Sequence, residues 1–349
     1  MRAGGVKVVL AAAVVGGLLA GCSSSGGGSE AAKKGGEGRK NAVAGAADGK
    51  GPLAAPSALP DGMASDVKDG VFPRTVSHYK GKSALKRAPQ RIAVLSTGQL
   101  DDLLTLGTVP IAATRADNAG LVPDYLADAF PEDKKRLGVM TDAGTRTAPN
   151  LESLARAKPD LILANSSLGD LYPKLSAIAP TVVTKGQGIN WKSDLLLVGA
   201  AIGKQEKAQQ LLDGFAADTK EQGAEAKGAE VSMVRFSPGR TRMFGVSSFT
   251  GSIAVDMGLT RPESQQFRAI SQDIGAERID TADGDWIFYS VQGKAAKTDA
   301  VNVLAGPLWK SMRGVKAKRA VQVDDDPWYL NAGPTAARLV LDELSEHLG

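Results

Sequence analysis

The chain has 349 residues and a formal net charge of +4, from 42 Lys and Arg against 38 Asp and Glu. With 43% hydrophobic and 23% charged residues it can bury a core, and so small a charge excess, scattered over short basic runs, argues against a nucleic-acid footprint. A single cysteine excludes an intrachain disulfide, and two distant histidines, His78 and His347, leave no material for a Cys/His metal cluster.

Arg2 and Lys7 flank the start of an apolar run over residues 8–20, shorter than the roughly 20 apolar residues a membrane-spanning helix needs. The run ends in Leu19-Ala20-Gly21-Cys22, followed by Ser23-Ser24-Ser25. That ending resembles a bacterial lipobox, which implies a signal peptide over 1–21 and lipidation of Cys22 after its removal. The sole cysteine falls at the one position where the resemblance needs it. Residues 22–65 turn to Gly, Ser, Ala and mixed charge, with Pro52, Pro56 and Pro60, and read as a flexible tether. Acyl chains, at about 0.8 kcal/mol per buried methylene, would hold the body on the extracytoplasmic face of a bacterial cell membrane.

Past Phe72-Pro73-Arg74, the stretch to Ala88 mixes strand and turn residues, as a hairpin would. Residues 91–95 are a short apolar run, as a buried parallel strand requires, and 99–106 carry Leu100, Leu103 and Leu104 at helical spacing until Gly107. Residues 110–114 read as a strand, 151–157 as a helix, 160–164 as a strand, 168–178 as a helix and 181–184 as a strand. Next comes a helix broken near Gly203, then a long one in which Ala208, Leu211, Leu212, Phe215 and Ala216 keep helical spacing. A second unit has strands at 231–236 and 241–246 around Ser237-Pro238-Gly239, and a helix at 251–257. It continues with a strand at 286–291, a helix at 300–304, a strand at 320–323 and a final helix at 334–347 opened by Pro334.

Strands alternating with helices predict an α/β fold with mainly parallel sheets. The boundaries are an N-terminal lobe over 66–190, a bridging helical segment over 191–228 and a C-terminal lobe over 229–349. A helical bridge is stiff, so hinge motion should be small. Each lobe carries the same local pattern. Glu152 stands eight positions before Asp160 and Glu277 eight before Asp285, each with an apolar residue (Leu154, Ile279) two places on. Duplicate features in two lobes suit a partner gripped at two points.

Common catalytic signatures are missing. Gly245-Val246-Ser247-Ser248-Phe249 lacks the closing Gly of a nucleophile elbow, and the segment from Gly199 to Lys204 is too short for a phosphate loop. The chain is therefore read as not an enzyme, with a lipoprotein hydrolase as the alternative of another class.

The order of Phe72-Pro73-Arg74-Thr75-Val76, Pro89-Gln90-Arg91-Ile92-Ala93-Val94-Leu95, Asn150-Leu151-Glu152, Lys158-Pro159-Asp160-Leu161-Ile162 and Ile178-Ala179-Pro180-Thr181 resembles the N-lobe of iron–siderophore binding lipoproteins of ABC importers. Pro327-Trp328-Tyr329 and Gly333-Pro334 fit the same family near the C-terminus. The resemblance implies two Rossmann-like lobes bridged by a single long helix, with the ligand in the cleft between them. It implies a monomeric receptor for a ferric siderophore, with an ABC permease dimer as partner, no cofactor of its own and iron carried only within the ligand. It also implies that Glu152 and Glu277 dock on the permease.

A ferric siderophore needs donors for its oxygens and flat apolar surface for its backbone, which Arg and aromatic side chains supply. The candidates are Arg235, Phe236, Arg242, Ser248, Phe249, Trp309, Trp328 and Tyr329 in the C-lobe, with Thr97, Gln99 and Arg115 in the N-lobe. Arg235 and Arg242, flanking a turn, are expected to converge on the iron-ligating oxygens. The segment Arg261-Pro262-Glu263-Ser264-Gln265-Gln266 resembles hydroxamate-binding relatives, so a hydroxamate is favoured. Haem, cobalamin and catecholate complexes are the alternatives.

Overall fold

A computed structural model describes residues 53–349 except Asn118, Gln187 and Lys227. Cys22, the signal segment and most of the expected tether lie outside the described residues. The end of that tether is not loose. Ala55 and Ala64 are buried, and the Ala64 amide donates to the Ser77 carbonyl at 2.9 Å with the reverse bond at 2.7 Å. With the partly buried Leu59 and Met63, they fix this stretch on the body, so the packed chain begins before the expected boundary at residue 66.

The expected hairpin is present as β1 (Arg74–His78) and β2 (Gly81–Leu85), paired antiparallel. Buried Arg74 ties it to the body by donating to the Ala200 carbonyl at 2.7 Å and the Lys68 carbonyl at 2.7 Å. The N-lobe sheet contains β3 (Ile92–Val94), β4 (Ala112–Arg115), β5 (Thr141–Thr145), β6 (Ala148–Pro149), β7 (Leu161–Asn165) and β8 (Thr181–Thr184). Their order is β6-β5-β4-β3-β7-β8, all parallel except β6. The residues of β3 and β8 are all buried, as expected of parallel strands covered on both faces.

The C-lobe sheet contains β9 (Val231–Ser237), β10 (Arg240–Phe244), β11 (Ser271–Asp273), β12 (Trp286–Val291) and β13 (Ala320–Gln322). They are ordered β11-β10-β9-β12-β13, with β9, β12 and β13 parallel and β10 antiparallel to both its neighbours. The two sheets share a plan. In each, the first strand is central, later strands build outward on one side, and the chain then crosses to the other side. This is the α/β architecture expected from the alternation of elements.

Two helices connect the lobes. The Trp191–Ile202 helix is buried along its whole length and ends at Gly203, whose φ of 75° suits glycine. The Gln205–Glu225 helix follows, 21 residues long, burying Ala208, Leu212, Phe215, Thr219 and Gly223 along one stripe. Ala208 at one end packs against Gly199, and Gly223 at the other lies against the Met257 backbone so closely that a Cβ there would stand 2.0 Å from the Met257 carbonyl oxygen. The long helix thus packs on the preceding bridge helix at its start and on the C-lobe at its end.

Candidate ligand-binding cleft

Between the lobes lies a cleft of about 600 Å³ lined from both sides. The N-lobe supplies the chain that leaves β3 (Ser96, Thr97) and β7 (Asn165, Ser167). These strands are neighbours across the point where strand order reverses, which is where open α/β sheets bind ligands. The C-lobe supplies a sheet face. Arg242 on β10 stands opposite Arg235 on β9, and Phe244 shares that face two residues on.

This pairing separates the expected residues. Arg235 lines the cleft, but its Nε and one Nη donate to Asp325 at 2.7 and 2.6 Å, and Ser290 donates to the same carboxylate at 2.6 Å. Its charge is neutralised in place. The Arg242 side chain has no hydrogen bond or ion pair among the described residues, and its Nε is buried without a partner. Its guanidinium lies 5.6 Å from the centre of the Phe244 ring. Burial, then the nearby Arg235 and Arg240 charges, lower its pKa to about 10, which leaves it cationic at neutral pH. The expected pair of equivalent arginines is one paired and one free.

Thr97, Gln99, Ser248, Phe249, Trp328 and Tyr329 also line the cleft. Thr97 donates to the Leu330 carbonyl at 3.1 Å across the lobes. Ser248 caps the Phe249–Asp256 helix, accepting from the Gly251 amide at 2.9 Å. The Tyr329 hydroxyl donates to the Phe288 carbonyl at 3.0 Å, and Trp328 donates to Glu343 at 2.6 Å. Burial drives the Tyr329 pKa upward, so its hydroxyl stays neutral. These aromatics are fixed walls.

Three expected residues fall elsewhere. Phe236 follows Arg235 on one strand and so points to the opposite face, where it is fully buried with Val234 and Met243. Trp309 joins the same core, edge-on to Phe236 at 6.3 Å and Tyr289 at 5.3 Å. Arg115 sits at the end of β4, one strand from the reversal point, where it pairs with Asp142 and borders a separate small cavity. Its N-lobe place in the cleft is taken by Arg146, in the turn between β5 and β6, whose nearest carboxylate is Asp117 at 4.0 Å. Trp191 lines the cleft as well, edge-on to Phe215 at 5.1 Å and Phe249 at 5.7 Å.

Glu152 and Glu277 occupy matching places. Glu152 opens the Leu151–Ala157 helix with a 79% exposed side chain, and Glu277 lies exposed in the first turn of Ala276–Ala282. Each segment leads from an edge strand (β6 or β11) across to the strand beside the central one (β7 or β12). The residues two places on, Leu154 and Ile279, are the buried anchors of these turns. Among the described residues no group of three or more His, Cys, Asp or Glu side chains is arranged to hold a metal ion.

Two α/β lobes joined by a long helix, with a lined cleft between them, define a protein that captures a ligand. The chain belongs to the periplasmic binding protein family, whose sequence model matches residues 92–327. It is 34% identical over 292 residues to the "Probable siderophore-binding lipoprotein YfiY" of Bacillus subtilis, covering 78% of this chain and 87% of that one. It is 26% identical over 278 residues to the Fe(3+) dicitrate-binding periplasmic protein FecB of Escherichia coli, covering 77% and 88%. The crystal structure of Staphylococcus aureus SirA complexed with staphyloferrin B superposes with a TM-score of 0.69 at 27% identity, covering 78% of this chain and 98% of that one. A family of binding proteins agrees with the reading that the chain is not an enzyme.

Proposed function

We propose that this protein is a lipid-anchored extracytoplasmic receptor that binds a ferric siderophore and delivers it to an ABC permease. The observation that carries the reading is the free guanidinium of Arg242 in an aromatic-walled cleft shared by both lobes. A half-buried guanidinium whose Nε is buried without a partner is costly, and a cluster of anionic oxygens around iron would satisfy it. The names of the relatives YfiY and FecB and of SirA support the same ligand class. The lipobox at Cys22 supports anchoring, and the matched, exposed Glu152 and Glu277 support docking on two permease subunits.

The preference for a hydroxamate rests on sequence resemblance, whereas the uncompensated charge of Arg242, with Arg146 opposite, favours a complex of net negative charge. Equilibrium dialysis against ferric hydroxamate, catecholate and citrate-type complexes, their metal-free forms, haem and cobalamin tests both points. Retention of at least one ferric siderophore over its metal-free form is expected. Retention of haem or cobalamin alone, or of nothing, would overturn the reading.

A further inference from the structure

The cleft has a second chemical face, lined by unpaired acceptors. Its most buried lining includes Gln99, Asp102 and Asn331, each no more than 3% exposed. Gln99 spends its amide nitrogen on the Ala164 carbonyl at 2.8 Å and Thr184 at 3.2 Å, which fixes its orientation and leaves Oε1 with no partner. Asn331 likewise donates to the Asp326 carbonyl at 3.1 Å and leaves Oδ1 unpaired. One carboxyl oxygen of Asp102 is also buried without a partner. Gln99 and Asp102 are three apart on the Thr97–Thr105 helix and share a face. Asn331 is held against the start of that helix, because Leu330 accepts from Thr97 and the Ala332 carbonyl abuts Gly98. Gln99, Asp102 and Asn331 therefore each bring an orphan acceptor to the lining of the cleft.

We propose that this wall is a subsite for a protonated amine carried by the siderophore, whose three N–H donors match Asp102 and the side-chain carbonyls of Gln99 and Asn331. The proposal rests on the siderophore reading and specifies the ligand within it: a dipolar complex, with its iron centre toward Arg242 and Arg146 and a cationic arm toward Asp102. The surrounding charges agree. Asp102 feels the charges of Asp101 on its own helix and Asp194 on the Trp191–Ile202 helix, where Lys192 is already paired with Asp256 at 2.6 Å. The cations of the cleft, Arg146, Arg235 and Arg242, belong to the other walls. Burial, with repulsion from Asp101 and Asp194, raises the Asp102 carboxyl well above its ordinary pKa, which favours its neutral form in the empty cleft. An ammonium arriving beside it favours the carboxylate, and binding then releases a proton.

The test uses ferric complexes in matched pairs: ferrioxamine B and N-acetylferrioxamine B, and a tris-catecholate with an aminoalkyl arm and its N-acetyl form. Wild type is expected to bind the amine member of a recognised pair at least about tenfold more tightly. Asp102→Asn should reduce that ratio to about twofold or less. Calorimetry of the wild type in two buffers of different ionisation heat gives a readout independent of the variant: proton release with the amine member and none with the acetyl member. Equal affinities within a bound pair, discrimination that survives Asp102→Asn, or equal proton counts would each overturn the subsite and leave the receptor reading standing. Failure of every pair to bind would overturn both.

Discussion

The carboxylate of Asp101 caps a helix from the far end of the sequence: it accepts the Thr335 and Ala336 amides at 3.0 Å each, at the start of Pro334–Leu348. The helix supplies no cap of its own, because its N-cap is Gly333. A Cβ on Gly333 would lie 2.5 Å from the Asp101 side chain, so glycine is what lets the carboxylate in. Tyr125 at 3.2 Å and Thr105 at 3.0 Å also donate to Asp101, which is fully buried. Asp101→Ala removes the cap and strands these buried donors, and should cost about 2–4 kcal/mol of unfolding free energy in urea denaturation.

Arg235 and Arg242 should separate stability from binding. Arg235→Ala leaves the largely buried Asp325 without its cation, with only Ser290 donating to it, and should destabilise the fold by about 3 kcal/mol. Arg242→Ala removes a half-buried charge that has no hydrogen-bond or ion-pair partner, so the melting temperature should hold or rise. Its cost should appear in affinity for the recognised ferric siderophore, weakened roughly 10- to 150-fold for one charge-assisted hydrogen bond. Melting curves and equilibrium dialysis of the two variants check both expectations.

The double variant Glu152→Ala, Glu277→Ala should slow iron uptake by cells while siderophore affinity stays at the wild-type value, because neither side chain lines the cleft. Exposed charges act on orientation and on-rate, so the wild-type advantage should shrink as salt is raised. Unchanged uptake would remove these residues from docking.

The pH dependence of stability should carry the mark of Asp194. Burial lifts its pKa to about 7, against hydrogen bonds from the Gly186 and Lys185 amides that pull it down. Between about pH 4 and pH 7 the unfolded chain has lost this proton and the folded one keeps it, so stability falls as pH rises through that window. His78 works oppositely. Burial lowers its pKa to about 4, so its contribution is lost as pH falls from about 6.5 to 4. Asp194→Asn should therefore turn the net slope between pH 4 and 7 more positive, by up to about 1.4 kcal/mol per pH unit, in chemical denaturation across that range.

The sequence is most legible where elements are long or fully apolar. The long helix expected around Ala208, Leu212 and Phe215 is found as Gln205–Glu225, and the strand at 286–291 as Trp286–Val291. Short elements escape. The helices Asp124–Ala129, Lys134–Gly138 and Pro307–Ser311 have too few turns to show a period, and β5 contains Asp142 and Gly144, poor strand formers. The same limit hid Arg146, which reaches the cleft only because β5 turns back into β6. Phe236 shows the other limit: composition marks an aromatic as a candidate, but pleat direction assigns it to the core. Trp309 could not be distinguished from Trp328 by sequence, since both follow loops and only the packing of Phe236 and Tyr289 claims the first.

At Gly98 a Cβ would stand 2.6 Å from the Ala332 carbonyl oxygen, and at Gly188 2.8 Å from the Phe249 amide. Main chain thus meets main chain on both sides of the cleft, and Gln292 adds a hydrogen bond to the Asp117 carbonyl at 3.2 Å. Lobes stitched at this range have little travel left, so an empty copy and a loaded copy would offer a transporter almost the same outer face. On a crowded cell surface the empty copies would then compete for the transporter, and uptake would depend on the fraction of receptors filled as well as on their number.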